Sequence, residues 1–199
     1  MRIIAGEYGG RSIRTAEGPG YRPATAKVRQ AVFSMLEARG VEWTGLRVAD
    51  LFAGSGSLGI EALSRGALLA WFVDKSPRAV AALKGSMQDL RIPAARWRIL
   101  HADLLKVLGR PPELPFDLVF IDPPYGLDLL APALAKAVTG GWLAPDAFVL
   151  AEVEDRLDLA GCVPTQLIPQ TERLYGQTRI LLWRNSIPDS PSIPAPSTP

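Results

Sequence analysis

The chain has one cysteine, Cys162, so an intrachain disulfide and a cysteine-cluster metal site are both excluded. It has one histidine, His101, which leaves no imidazole set to hold a metal, and no metal is expected. No uncharged apolar run approaches the roughly 18 residues that cross a bilayer. The opening Met1-Arg2-Ile3-Ile4-Ala5-Gly6-Glu7 lacks a long apolar stretch and meets an acid early, unlike a secretory signal. These absences point to a cytoplasmic protein without a membrane partner. Hydrophobic residues make up 48% and charged residues 21%, enough for a sizeable core under a solvated surface. A chain of 199 residues is expected to form one domain with a small appendage.

The net charge is only +2, but it is unevenly placed. Residues 1–40 carry seven Lys/Arg against three acids, and the remainder carries 15 against 17. A basic arm on a slightly acidic body points to a polyanion held at one end. Arg2, Arg11, Arg14, Arg22, Lys27 and Arg29 are the candidates to hold phosphates, with Arg22 or Arg29 alternatively lining a pocket. The plainer reading is a solvated arm without a partner.

Residues 1–20 place short apolar pieces between glycines, which predicts a small hairpin or an extended arm. Thr25 is a candidate cap for a helix over Ala26 to Arg39. Beyond Arg47, strands alternate with helices. Strands are predicted over Val48–Ala53, Leu69–Val73, Trp97–Leu100, Phe116–Ile121 and Ala147–Val153. Helices are predicted over Leu58–Arg65, Pro77–Leu90 and Leu129–Val138, with a short one after Asp103. Cys162–Ile168 and Arg179–Trp183 read as a closing antiparallel pair. The alternation predicts an α/β fold: a mostly parallel seven-stranded sheet with helices on both faces, plus a small N-terminal hairpin and helix. The division expected is a basic extension over 1–40, a main domain over 41–186 and a disordered tail over 187–199, which holds five prolines in 13 residues.

The first strand runs into Asp50-Leu51-Phe52-Ala53-Gly54-Ser55-Gly56-Ser57-Leu58-Gly59, a G-x-G-x-x-G loop opening a helix. Such glycines let a ligand lie against backbone and leave amide groups free for an anion. Asp74 ends the second strand 20 residues after Gly54, placed to grip a ribose. Phe52, Ala53, Ser55 and Lys75 join this set as neighbours. The loop and Asp74 fit NAD as well as S-adenosylmethionine, or a plain strand-helix turn. Three further features favour S-adenosylmethionine. Asp50 lies four residues before Gly54, where a carboxylate can face the amino group of a methionine moiety. Asp103, followed by Leu104, ends the third strand and can accept from an adenine amino group. Asp122-Pro123-Pro124-Tyr125 ends the fourth. Acids thus mark four strand ends on the edge where open sheets bind ligands. Each acid alone reads more simply as a cap or turn residue. His101 reads as structural.

The tetrapeptide combines a carboxylate, two stiff prolines without backbone donors and an aromatic face. That set of acceptors beside a stacking platform suits a planar base with an exocyclic amino group. An ordinary strand-ending turn is the plain alternative.

With these motifs the chain resembles a class I S-adenosylmethionine-dependent methyltransferase of Rossmann-like fold. More narrowly it resembles the RsmD family, through Arg2-Ile3-Ile4-Ala5-Gly6, Gly10-Arg11, Arg22-Pro23, Val28-Arg29, the glycine loop to Ala62, Asp122-Pro123-Pro124-Tyr125 and Tyr175-Gly176. The resemblance spans about residues 1–184 and departs at Ala24 (usually threonine), Gln30 (usually an acid) and Asp74 (usually glutamate). It implies S-adenosylmethionine as cofactor and methylation of the exocyclic N2 of a guanine in 16S ribosomal RNA. It further implies Asp122, Pro123, Pro124 and Tyr125 as catalytic residues and the arm as the RNA contact. The partner expected is 16S rRNA, the small ribosomal subunit or an assembly intermediate, bound by a monomer. The tetrapeptide equally fits methylation of adenine N6 or cytosine N4 in DNA or RNA. An NAD-dependent oxidoreductase lacks a proton-shuttling candidate here, and a non-enzymatic RNA-binding module does not explain four intact strand-end acids.

Overall fold

The computed structural model describes residues 1–15 and 26–186. Thr25, Ala24 and the proline-rich segment 187–199 lie outside the described residues. One sheet carries seven strands: β1 (Arg47–Leu51), β2 (Leu69–Asp74), β3 (Trp97–His101), β4 (Phe116–Ile121), β5 (Leu143–Glu154), β6 (Leu167–Tyr175) and β7 (Thr178–Asn185). Their order is β3-β2-β1-β4-β5-β7-β6, parallel through β5 and antiparallel at β7 and β6. The helices are α1 (Ala26–Glu37), α2 (Ser57–Arg65), α3 (Pro77–Leu90), α4 (Leu104–Val107) and α5 (Leu130–Thr139).

Side-chain alternation along the strands makes two cores. Val48, Phe72, Phe120, Leu150 and Ile180 point to the face covered by α1, α2 and α3. Ala49, Trp71, Val119, Val149 and Leu181 point to the face covered by α4 and α5. The order of elements follows the sequence pattern, and α3 has the predicted bounds, with Pro77 in its first turn and the Ser76 hydroxyl accepting from Ala79 N–H at 3.3 Å.

Most strand ends fall within one or two residues of expectation, and two strands differ by more. The predicted strand Cys162–Ile168 is instead turn and loop up to Gln166, and β6 runs from Leu167 to Tyr175. Burial explains the shift: β6 is an edge strand with mostly exposed, polar residues, so it carries no apolar signal. Its ladder with β7 is interrupted between Pro169 and Thr171, and it exposes Ile168 and Leu174. β5 begins four residues early, at Leu143, because it pairs with Phe116 across a register shift.

The predicted N-terminal hairpin forms, with Ile3 N–H donating to Arg11 O at 3.0 Å and Gly10 N–H to Ile3 O at 2.9 Å. It is docked on α2. Glu61, only 1% exposed, accepts from Ile4 N–H at 2.7 Å, Ala5 N–H at 3.0 Å and Arg65 Nε at 2.9 Å. Gly6 has φ +82, and a Cβ there would stand 1.9 Å from Ser64 O, so no side chain fits. Ile3, Tyr8 and Ile13 join the same core as α1, α2 and α3. The hairpin and α1 therefore share the core of the main sheet.

Candidate active site

The strand order reverses between β1 and β4, and at such a point the carboxyl ends of the strands diverge and leave a crevice. A cleft of about 880 Å³ opens there. One wall is the turn from β1 to α2, through Phe52, Ala53, Gly54 and Ser55; another is Asp74 and Lys75 after β2, with Asp103 and Leu104 after β3. The far wall is Asp122, Pro123, Pro124 and Tyr125 after β4. Most of the sequence-predicted cofactor residues and all four predicted catalytic residues thus share one cavity.

The glycine turn is held by the acids around it. Phe52, Gly54 and Gly56 have φ +62, +54 and +72, a tight reversal that continues into α2. Asp74 accepts from Gly54 N–H at 2.8 Å and from Ser76 N–H at 2.7 Å, tying the turn to the end of β2. Asp103 caps α4, accepting from Lys106 N–H at 3.2 Å, and His101 Nε2 lies 3.1 Å from Lys75 O.

Three predicted cofactor residues lie behind the wall. A Cβ on Gly56 would meet Leu83 at 2.2 Å, and one on Gly59 would meet Phe72 at 2.4 Å. Those glycines serve close packing of α2 on the sheet. Asp50 is 2% exposed and accepts from Gly59 N–H at 2.9 Å. Its carboxyl faces the helix backbone, not the cavity, which corrects the expectation of a direct contact to a methionine amino group. Burial pushes its pKa up to about 7, opposed by the Gly59 hydrogen bond and assisted by Asp74.

The Asp122–Tyr125 segment is fixed from both sides. Asp122 N–H donates to Leu51 O at 3.3 Å, extending the β4–β1 ladder by one rung. The Tyr125 ring is 40% exposed, with its hydroxyl 3.2 Å from Thr178 Oγ1, and Gly126 N–H donates to Glu154 at 2.6 Å. Burial, then Glu152, then Asp50 push the Asp122 carboxyl well above the usual carboxylate range. Thr178, Glu154, Arg156, Gln177 and Glu152 are absent from the sequence-derived site. Glu154, Arg156 and Gln177 line the cavity. The strand-end acid rule, extended to the fifth strand, would have found Glu154.

The predicted phosphate-binding residues divide. Arg11 spends its guanidinium on the last carbonyls of α3, at Leu90 O (3.0 Å) and Asp89 O. Arg14 makes a forked pair with the Asp89 carboxylate at 2.7 and 2.9 Å, which lowers the pKa of Asp89. Arg29 is 2% exposed, donates to Arg2 O at 2.8 Å and contacts Met1 Sδ. Its burial corrects the expectation of a surface phosphate contact, since a guanidinium inside the arm's own core does not reach a polyanion. Arg2 and Lys27 are exposed, and Arg22 lies outside the described residues.

A family model described as Conserved hypothetical protein 95 matches residues 1–184. Ribosomal RNA small subunit methyltransferase D of Escherichia coli (strain K12) is 32% identical over 186 residues, covering 92% of this chain and 89% of that protein. The protein of the same name from Haemophilus influenzae is 34% identical over 155 residues, covering 77% and 79%. The solved structure of yhhF from Escherichia coli superposes with a TM-score of 0.81 at 30% identity, covering 94% of this chain and 98% of that one. With its glycine turn and its Asp-Pro-Pro-Tyr wall facing one crevice, the chain belongs to the RsmD family of Rossmann-like class I methyltransferases.

Proposed function

We propose that this protein transfers a methyl group from S-adenosylmethionine to the exocyclic N2 of a guanine in 16S ribosomal RNA. The observation that carries this reading is the facing of two sets across one cleft: the glycine turn with Asp74 and Asp103, and the acceptors Asp122 and Pro123 with the Tyr125 ring. The names of the Escherichia coli and Haemophilus influenzae relatives support a small-subunit ribosomal RNA target.

The cavity fits the cofactor. Its volume of about 880 Å³ holds a nucleoside with an amino-acid arm, and Asp74 and Asp103 offer carboxylate acceptors to ribose hydroxyls and an adenine amino group. Bound S-adenosylmethionine supplies an electrophilic methyl group on a sulfonium.

The chain's own residues do the rest. A guanine amino nitrogen is a weak nucleophile, because its lone pair is delocalised into the ring. Asp122 and the Pro123 carbonyl accept its two hydrogens, turn the lone pair toward the methyl and stabilise the positive charge that grows on nitrogen. Tyr125 stacks on the base and fixes its plane. Orientation of this kind contributes on the order of 7–11 kcal/mol. The base must leave its stack to reach the wall, so a flipped or looped nucleotide is the substrate.

Mapping decides the target. Tritiated cofactor and small subunits from cells lacking this protein should yield label on one guanine N2 of 16S RNA. Label on adenine N6 or cytosine N4 would overturn the base assignment.

A pH profile follows from the raised pKa of Asp122. The carboxyl accepts only when deprotonated, so the single-turnover rate should rise with pH through a midpoint well above the usual carboxylate range. A rate already flat above pH ~5 would mean that Asp122 ionises near the ordinary carboxylate value despite its burial.

We assign RNA contact to the exposed Arg2 and Lys27, with the protein acting as a cytoplasmic monomer. Charge reversal at both should weaken RNA binding and reduce its salt slope by about one per lost phosphate contact. Reversal at Arg14 should instead lower thermal stability, since its partner is Asp89. Filter binding across a salt series measures the first effect and calorimetric melting the second.

A further inference from the structure

Glu152 has no part in the site as read so far. It lies one rung beyond the Ile121↔Ala151 pair of the β4–β5 ladder, beside Asp122. Asp122 follows Phe120 on the α1–α2–α3 face of the sheet, and Glu152 follows Leu150 on that same face. Neighbouring strands stand about 4.8 Å apart, so the two carboxyl groups start side by side. Glu152 is 5% exposed, and among the described residues no hydrogen-bond donor reaches it. A carboxylate with so little exposure is poorly hydrated, and it gains by carrying a proton or finding a partner.

Among the described residues, the charges that act on this pair are those of other acids. Asp122 feels the charges of Glu152 and, from β1, of Asp50. The Tyr125 hydroxyl feels those of Glu152, Asp122 and Glu154. Opposite Glu152 on β7 is the apolar Ile180. Two carboxylates so placed do not both stay ionised, and the pair lowers its energy by sharing a proton. Burial pushes the Glu152 carboxyl up to about 7.

We propose that Glu152 is the positioning partner of Asp122: its carboxyl O–H donates across the β4–β5 ladder to one Asp122 oxygen and leaves the other aimed at the target amino group. The role rests on Asp122 being the acceptor of that group. In the transfer the N–CH3 bond forms and the S–CH3 bond breaks, with its electron pair left on sulfur. The N–H bond then breaks and its proton passes to the free Asp122 oxygen. The pair holds two protons until one is lost to water.

Glu152→Gln and Glu152→Ala test this, with cofactor binding by calorimetry reporting that each variant is folded. Glutamine donates as the protonated acid does but carries no charge. Glu152→Gln should therefore keep the near-neutral single-turnover rate within about threefold and leave the acid limb of its pH profile within about half a unit, because a neutral donor faces Asp122 in both proteins. Glu152→Ala should lose roughly 10–100-fold in that rate, with KM for RNA unchanged. A Glu152→Gln rate as low as that expected for Glu152→Ala, an acid limb moved by more than about one unit in Glu152→Gln, or a wild-type rate in Glu152→Ala overturns the proposal. Infrared spectroscopy serves independently: the protonated carboxyl absorption of the wild type near neutral pH should lose intensity in Glu152→Gln, and an unchanged absorption overturns the proposal. Normal turnover by Asp122→Ala would instead sink the acceptor reading itself, a separate outcome.

Discussion

Asp122→Ala is expected to lower the methyl-transfer rate by at least about 10²–10³-fold while S-adenosylmethionine binding stays within a few-fold of wild type. The split follows from the cleft. The cofactor wall is built from the glycine turn and the ends of β2 and β3, and none of the hydrogen bonds that hold it uses the Asp122 side chain. The Asp122 backbone bond to Leu51 survives the substitution. The lost group is the acceptor that meets positive charge as it develops, so the loss falls on the transition state. A second effect has the opposite sign. The Asp122 pKa is raised in the folded chain by burial, Glu152 and Asp50, so ionising it costs folding energy. Below the unfolded-state pKa of this acid the wild type carries no such cost. As pH rises through the folded-state value the cost appears in full. Asp122→Ala should therefore melt higher than the wild type at pH 8, with the gap closing toward pH 4. Calorimetric melting at the two pH values, beside single-turnover assays, reads both effects. An inactive variant that is also destabilised at pH 8 would mean that Asp122 serves the fold.

Glu61→Ala is expected to cost about 3–5 kcal/mol of folding stability, the range for removing one partner of a buried ion pair. Its carboxylate accepts from two arm amides and from Arg65, whose side chain is only 8% exposed. Truncation strands both amides and leaves Arg65 with Glu37 at 2.6 Å and the Phe33 ring at 4.7 Å. For a chain of this length the melting temperature should fall by roughly 10 °C. Denaturant titration measures the energy, and proteolysis at the hairpin tests whether the arm detaches first. A loss below about 1 kcal/mol would mean that the arm is held by its apolar residues Ile3, Tyr8 and Ile13.

The parallel part of the sheet was legible because strands buried on both faces read as apolar runs, as in Phe116–Ile121. The cofactor wall was legible because a tight turn and carboxylates at strand ends leave local marks in sequence. Elsewhere the deciding information is tertiary. β6 carries Gln170, Glu172 and Arg173 on an exposed edge, so its pattern resembles a loop. The arginines were visible as charge but not as partners: Asp89 is 75 residues from Arg14, and only folding brings them together. Asp50 was identified as a site acid, yet its carboxyl turns toward α2, a choice made by packing. Glu152 sits inside an apolar run, and the β4–β5 register alone sets it beside Asp122.

The outer rim of the sheet has a consequence for life in a crowded cell. β6 offers its backbone to solvent and shows Ile168 and Leu174 there, an invitation to stray strands. Pro169 removes one donor, the break before Thr171 spoils the repeat, and Glu172 and Arg173 set charges along the remaining length. A foreign ladder started at this rim is cut short after a few rungs, which keeps the newly made enzyme from templating its own aggregation.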